Sequence, residues 1–357
     1  MISFIIRRIF YGLLVLWGVI TLVFFIFNIL PGDPARMMLG QRADQEAIDE
    51  INHELGLDKS LVYQYALYIN DLLPLSIHHA DPHSAIYFST NKYKGIEAFD
   101  IGEYSLSLKM PYLRKSYQSK KEVAEILNES LPETAILALA SIFISTIIGV
   151  LMGIVAAFKK DSWLDKILLF VATLGMALPS FFVGVLFAWL FGFVLADFTG
   201  LPMSGSLYEV DDLGKGEYIQ WKNLLLPAVT LGIRPLAVVL QLSRNAFLEV
   251  LSMDYMRTAR AKGLQFRVSV IKHALKNALN PVITAVSGMF ASLMAGAVFV
   301  EIIFSWKGIG WEIVNALEKY DLPIVMGAVL VIALIFVFIN ILVDILYGII
   351  DPRVSLK

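Results

Sequence analysis

The sequence contains no cysteine. Disulfides, thiolate metal sites and cysteine nucleophiles are therefore excluded. Charge is scarce: Asp, Glu, Lys and Arg make up 17% of the 357 residues, against 57% hydrophobic residues, and the mean hydropathy is +0.69. That balance is too apolar for a soluble globular protein of this length. No G-x-x-x-x-G-K segment followed by Ser or Thr occurs, so the chain has no loop that cradles nucleotide phosphates. The segment SWKGIG, from Ser305, has glycines but lacks the rest of that motif. The net charge of −2 hides strong segregation along the chain. The basic patch lies between apolar runs rather than on a soluble face, which argues against nucleic acid as a partner. No internal repeat or low-complexity tract is visible.

What is present is a series of long apolar runs. A helix needs roughly 20 apolar residues to cross the hydrocarbon core. Six segments qualify: Ile9–Leu30, Thr134–Phe158, Ile167–Ala196, Leu224–Leu242, Pro281–Phe304 and Ile324–Ile350. The first run, of about 22 residues, is too long for a signal-peptide core of about 7–15, and it is read as a retained helix. Pro179 sits inside the third run and is expected to kink it. Gly149 and Gly153 form G-x-x-x-G in the second, which reads as close helix packing. Lys and Arg cluster in alternate gaps. Arg7 and Arg8 precede the first run. Lys159, Lys160 and Lys166 follow the second, and Arg244, Arg257, Arg260, Lys262, Arg267, Lys272 and Lys276 follow the fourth. The gap after the third is acidic. This alternation predicts a multi-pass protein with both termini in the cytoplasm.

The expected architecture is thus an all-α membrane protein. It comprises a first transmembrane helix (1–30), an external α-rich lobe (31–132) and a five-helix transmembrane domain (133–351) with a cytoplasmic loop at 244–280. The lobe of about 100 residues is too long to be a bare connection. Helices are expected at Asp44–Leu55, Leu61–Leu73 and Lys120–Leu131, with Ser76–Ser107 irregular. His78, His79 and His83 with Asp81 have a spacing that could hold a metal, but they are read as exposed loop histidines and no metal site is assigned.

The segment Glu249–Pro281 carries the most information. Glu249–Lys262 is patterned as a short amphipathic helix, with Gly263 as its stop. A second helix is expected from Gln265 towards Pro281. The small residues Thr258, Ala259 and Ala261 would let another protein approach closely. On physical grounds alone, docking of a partner and contact with lipid headgroups are equally compatible with this loop.

The stretch DYMRTARAKG, Asp254 to Gly263, resembles the coupling loop of ABC-importer permeases. Arg257-Thr258-Ala259 stands where that family has Glu-Ala-Ala, and Gly263 falls at the family's spacing. RTARAKG followed by HAL, KNAL and NP is the variant seen in the dipeptide/oligopeptide (peptide/nickel) permeases. ILPGDPARMMLG, LPETAILALAS, LPSFFVG, LLLPAVTLG, FVEIIFSWKGIG and DILYGIIDPR match the same family in order. His78–Lys94 and Leu108–Lys121 are unfamiliar and look like insertions. The resemblance implies the type I importer permease fold and alternating access driven by ATP hydrolysis. It implies a second homologous permease subunit, two ATP-binding cassette ATPases that carry the ATP and Mg, and an external solute-binding protein. Asp254, Tyr255, Arg257, Thr258, Ala259, Arg260, Ala261, Lys262 and Gly263 would couple to the ATPases. The chain itself would bind no cofactor and catalyse no reaction.

Three ionisable residues fall within the runs. Glu301, near one end, is read as structural. Arg234 and Asp344 are costly in a bilayer unless they face a bundle interior or a cavity, and they are candidate pathway or gate residues, with interhelical pairing as the simpler role. The substrate within the family stays open between peptides, nickel chelates and another small solute. An ion-coupled secondary transporter is the reading from another class, but it lacks the midplane charges and inverted repeats it calls for. A passive membrane anchor is disfavoured by the polar residues within the spans.

Overall fold

The computed structural model describes residues 2–29, 44–54, 57–82, 84, 86–90, 92–211, 214 and 216–350. Its helices are α1 (Ile2–Ile29), α2 (Gln45–Glu54), α3 (Leu61–Leu72), α4 (Val123–Phe158), α5 (Trp163–Ala177), α6 (Ser180–Trp189), α7 (Lys222–Ser252), α8 (Asp254–Ala261), α9 (Asn280–Gly296), α10 (Val298–Phe304), α11 (Ile309–Glu318) and α12 (Leu322–Ile350). Short π-helical segments occur at Leu190–Val194 and Val270–Ala274. Among the described residues, four helical stretches are long and apolar enough to cross a membrane: Ile6–Asn28, Val123–Phe158, Lys222–Ser252 and Leu322–Ile345. Two bent pairs raise the number to six if each is one span. They are Trp163–Ala177 with Ser180–Val194, bent by 109°, and Val270–Ala278 with Asn280–Gly296, bent by 42°.

The sharper bend follows from Pro179. A proline drives the residue before it out of the α region, and Leu178 is extended at φ −75, ψ 135. Helix α6 then starts afresh, with Pro179 as an N-cap whose side chain makes no capping bond.

The described chain divides into two compact units. The first comprises Met1–Leu13, Ser130–Trp311 and Leu334–Lys357. Its core gathers Leu137, Ile142, Leu226, Leu231, Leu293, Phe304 and Trp306. The G-x-x-x-G glycines act as the sequence suggests. A Cβ on Gly149 would lie 2.9 Å from the Leu236 carbonyl oxygen, and one on Gly153 would lie 2.7 Å from that of Leu240. Only glycine permits α4 and α7 to cross so closely.

The second unit comprises Leu14–Glu129 and Glu312–Ala333. Phe24 stacks on Tyr68 at 5.7 Å between ring centres, within a cluster that includes Val23, Leu72 and Met326. Here the α-rich, irregular expectation is corrected. Strands β1 (Leu75–His79), β2 (Gly95–Ile101) and β3 (Tyr104–Lys109) form an antiparallel sheet in the order β1-β3-β2. A small hairpin of β4 (Tyr208–Val210) and β5 (Glu217–Ile219) adds two strands to the first unit. The chain is therefore not all-α. Lys120–Leu131 does not form a helix of its own; α4 runs on from Val123.

The three-stranded sheet buries polar side chains and exposes apolar ones. Ser76, His78, Ser105, Ser107 and Lys109 face inward. Leu75, Ile77, Ile96, Phe99, Ile101, Tyr104 and Leu108 are exposed. His78 is therefore no surface histidine. Its Nδ1 is 3.0 Å from the Ile86 carbonyl, which can only accept, so Nδ1 carries the proton and Nε2 accepts from the Ser76 hydroxyl at 2.8 Å. Burial lowers the His78 pKa, in keeping with this neutral ring. Both nitrogens are engaged, and no metal-holding cluster occurs among the described residues. His83 lies outside them.

Asp71 anchors the interior of this unit. It accepts from the Tyr93 hydroxyl at 2.7 Å and from Arg114 Nε at 3.2 Å, with Lys92 Nζ 3.5 Å away. Lys109 Nζ donates to the Asp71 carbonyl. Burial holds the Lys109 pKa down at about 8 and pushes those of Tyr68 and Tyr112 up to about 12. An unfolded lysine keeps its proton to about 10.4. Between about pH 8 and 10.4 the folded unit thus binds fewer protons than the unfolded one, and stability rises with pH. The tyrosines act oppositely above about pH 10, because the folded state then holds more protons. The unfolding midpoint of the purified chain should climb from pH 8 towards pH 10 and then fall. Burial lowers the Lys92 pKa as well, so in Lys109→Met the rising limb should shrink rather than vanish; an unchanged climb would remove Lys109 as its main cause.

Candidate functional site

Helix α8 forms at a corner. Helix α7 ends at Ser252, and Met253 is extended at φ −69, ψ 150. Glu249–Ser252 thus belong to α7, a correction to the amphipathic helix expected from Glu249. The carbonyl of Met253 accepts from the Met256 and Arg257 amides, and Asp254 in the first turn complements the helix dipole.

The two faces of α8 differ sharply. Met256 is 0% exposed and Ala259 7%. Both are buried on one face, and Met256 packs with Phe247 and Val250 of α7 and with Val270, Ala274 and Ala278 beyond the loop. Asp254, Tyr255, Arg257, Thr258, Ala261 and Lys262 are exposed. Arg257 Nη1 reaches Asp254 at 3.4 Å, with both side chains open to solvent, so the pair adds little stability. The Tyr255 hydroxyl accepts from Asn277 Nδ2 at 3.0 Å. Arg260 is on the same helix.

Gly263 ends α8 as the sequence predicts. Its φ is +79, the Leu264 amide donates to the Ala259 carbonyl at 3.3 Å, and the Lys262 amide donates to Thr258. This is a Schellman-type stop built around a left-handed residue. Nothing lies within 4 Å of a Cβ at Gly263, so its requirement for glycine is conformational rather than steric. The second helix is broken: Phe266–Ser269, the π segment and Leu275–Ala278 precede α9.

The two embedded candidates separate. Asp344 of α12 accepts from Arg8 Nε of α1 at 3.0 Å, an interhelical ion pair. Arg234 of α7 lines a cavity of about 340 Å³ with residues of α5, α6 and α9. It has no ion-pair partner among the described residues.

Two buried polar assemblies are not visible as motifs. Asp165 accepts from Arg244 Nε and Nη2, both at 2.7 Å, and from the Asp161 amide. Arg244 is thereby removed from the open basic surface. The one sequence signal was an acid set among Lys159, Lys160 and Lys166. Glu301, 0% exposed, accepts from the Thr134 hydroxyl at 2.7 Å and the Trp311 amide at 3.0 Å. Thr134 in turn accepts from the Ile309 amide, and Trp306 Nε1 donates to the Glu133 carbonyl. Glu133 also accepts from the Ser206 hydroxyl.

Residues 149–356 match the family described as binding-protein-dependent transport system inner membrane component, and residues 1–90 match the N-terminal region of such membrane components. This chain belongs to that family. The permease is 34% identical over 371 residues to the dipeptide transport system permease protein DppB of Alkalihalophilus pseudofirmus, covering 99% of this chain and 100% of that one. It is 35% identical over 373 residues to the di/tripeptide transport system permease protein DppB of Pseudomonas aeruginosa, covering 99% of each. The glutathione transport system permease protein GsiC of Escherichia coli K12 is 31% identical over 357 residues and covered in full, as is this chain. Membership makes the chain an inner membrane component of a binding-protein-dependent ABC system, a transport permease rather than an enzyme. Such a system implies ATPase and solute-binding partners.

Proposed function

We propose that this permease translocates short peptides inward by alternating access, driven by ATP hydrolysis in separate subunits. The complex would comprise this chain, a second homologous permease, two ATP-binding cassette ATPases holding ATP and Mg, and an external binding protein that delivers the cargo. The chain would cross the membrane six times with both termini in the cytoplasm, each bent pair serving as one span, and would place the lobe of residues 31–132 outside. The observation that carries this reading is the split between the faces of α8. Met256 and Ala259 seat the helix on its own subunit, while Arg257, Thr258 and Lys262 stay open. A helix seated in this way passes displacement into α7. The full-length relatives named for dipeptides and di/tripeptides support peptides as the cargo.

The test is uptake of a labelled dipeptide into vesicles holding the whole complex. Uptake is expected only with ATP and the binding protein together, and a nickel–histidine chelate should not compete. Gradient-driven uptake without ATP would overturn the mechanism, and chelate uptake in place of peptide would overturn the cargo. Single cysteines in this cysteine-free chain test the orientation. Ser119→Cys should react with an impermeant maleimide from outside, and Ser252→Cys should react only after the membrane is opened.

A further inference from the structure

The cavity beside Arg234 has the chemistry of an anion site. It is lined by Met176, Ser180, Thr230, Arg234, Met289 and Ser292 among others, and no Asp or Glu takes part. Three features converge there. Arg234 contributes a guanidinium with no carboxylate partner among the described residues. Thr230 is 2% exposed and its hydroxyl has no hydrogen-bond partner among the described residues, an expensive arrangement unless something visits it. Ser180 opens α6, a ten-residue helix that starts at the 109° break with no side-chain cap, so its first amides are free of a capping group. Uncapped helix amides favour negative charge. The remaining wall is largely apolar, and Met176 and Met289 can repack around different side chains.

We propose that this cavity receives the C-terminal carboxylate of the peptide in transit, with Arg234 as its counter-charge and the Thr230 hydroxyl and the start of α6 as further donors. Arg234 pairs two-pronged with a carboxylate, and the methionines take the neighbouring side chain without selecting it. The proposal rests on the peptide reading above, and its test separates the two.

Trialanine and its C-terminal amide serve as probes on the assembled importer. Arg234→Met should cut trialanine uptake at least tenfold, with Arg234→Lys retaining more, while the already slower uptake of the amide should hardly change. In the detergent-purified complex carrying Ser292→Cys, trialanine should slow maleimide labelling several-fold and the amide should not. Arg234→Met should abolish that protection. Equal loss for both peptides, with weaker retention of the second permease, would show that Arg234 pairs with a partner's acid and would overturn the site. Uptake and protection that ignore Arg234 would overturn it as well. Arg234-dependent protection by trialanine in a complex that moves no peptide would uphold the carboxylate site and sink the peptide-transport reading instead.

Discussion

Glu301→Ala is expected to prevent recovery of a folded, monodisperse permease. The carboxylate is fully buried and accepts from the Thr134 hydroxyl and the Trp311 amide, while its own backbone carbonyl accepts from the Trp306 amide at 2.8 Å. Truncation leaves two buried donors without acceptors, each costing about 1–3 kcal/mol, and adds a void beside them. The sum is a large part of the roughly 5–15 kcal/mol that holds a typical domain together. Gly308 packs against the same assembly, where a Cβ would meet Thr134 and Glu301, so the site has little room to rearrange. Glu301→Gln keeps one acceptor but turns an NH₂ towards a donor, and it should fall between alanine and the native residue. Yield on size exclusion and the unfolding midpoint in detergent measure this. A Glu301→Ala permease as stable as the native one would refute the structural role and free Glu301 for a part in transport.

The second large effect concerns coupling. Gly263→Val and Arg257→Glu should each lower peptide uptake per ATP hydrolysed by about tenfold or more, a factor within the usual range of allosteric coupling, while the chain still inserts and folds. A β-branched residue at φ +79 costs roughly 1–2 kcal/mol in backbone strain, and open space around the site leaves nothing to clash. The exit from α8 is therefore redirected while the core stays intact. Arg257 gives up only an exposed contact with Asp254, so charge reversal has almost no cost within the subunit. Loss of transport would then report on the docking partner. The measurement is uptake and phosphate release in the same vesicles, with co-purification of the ATPases. Normal uptake by both variants, with the ATPases firmly bound, would leave α8 as a lipid-facing basic segment.

The parts that could be read from the residues were those with local causes. The Gly263 stop, the Pro179 break and the Gly149/Gly153 crossing each follow from the backbone freedom or restriction of one residue type. The three-stranded sheet escaped for an opposite reason. Tyr104–Lys109 does alternate, but its buried positions are Ser105, Ser107 and Lys109, so a search for an apolar inner face finds nothing to hold. The Met253 corner has neither Gly nor Pro to announce it, and the helical pattern runs through it unbroken. Asp165 and Arg244 stand 79 residues apart, and no local pattern joins them. Arg234 and Asp344 look alike in sequence; only their neighbours give one an ion-pair partner and the other a cavity.

The distribution of helix breakers in α7 has a mechanical consequence. Pro227, Gly232 and Pro235 fall in its first half, whereas Leu236–Ser252 contains neither proline nor glycine. That second half is a stiff rod of about 25 Å. The first half of the rod, Leu236–Arg244, packs against Gly149 and Gly153, and Asp165 clamps it at its midpoint, Arg244. Pro235 gives no amide to the Leu231 carbonyl, so the compliant point lies next to Arg234. Pivoting there by about 10° swings the Met253 end by about 4 Å. If α8 couples as proposed, the rod would act as a lever whose fulcrum is the cavity wall, and a push on α8 would reach Arg234 with little lost to bending on the way.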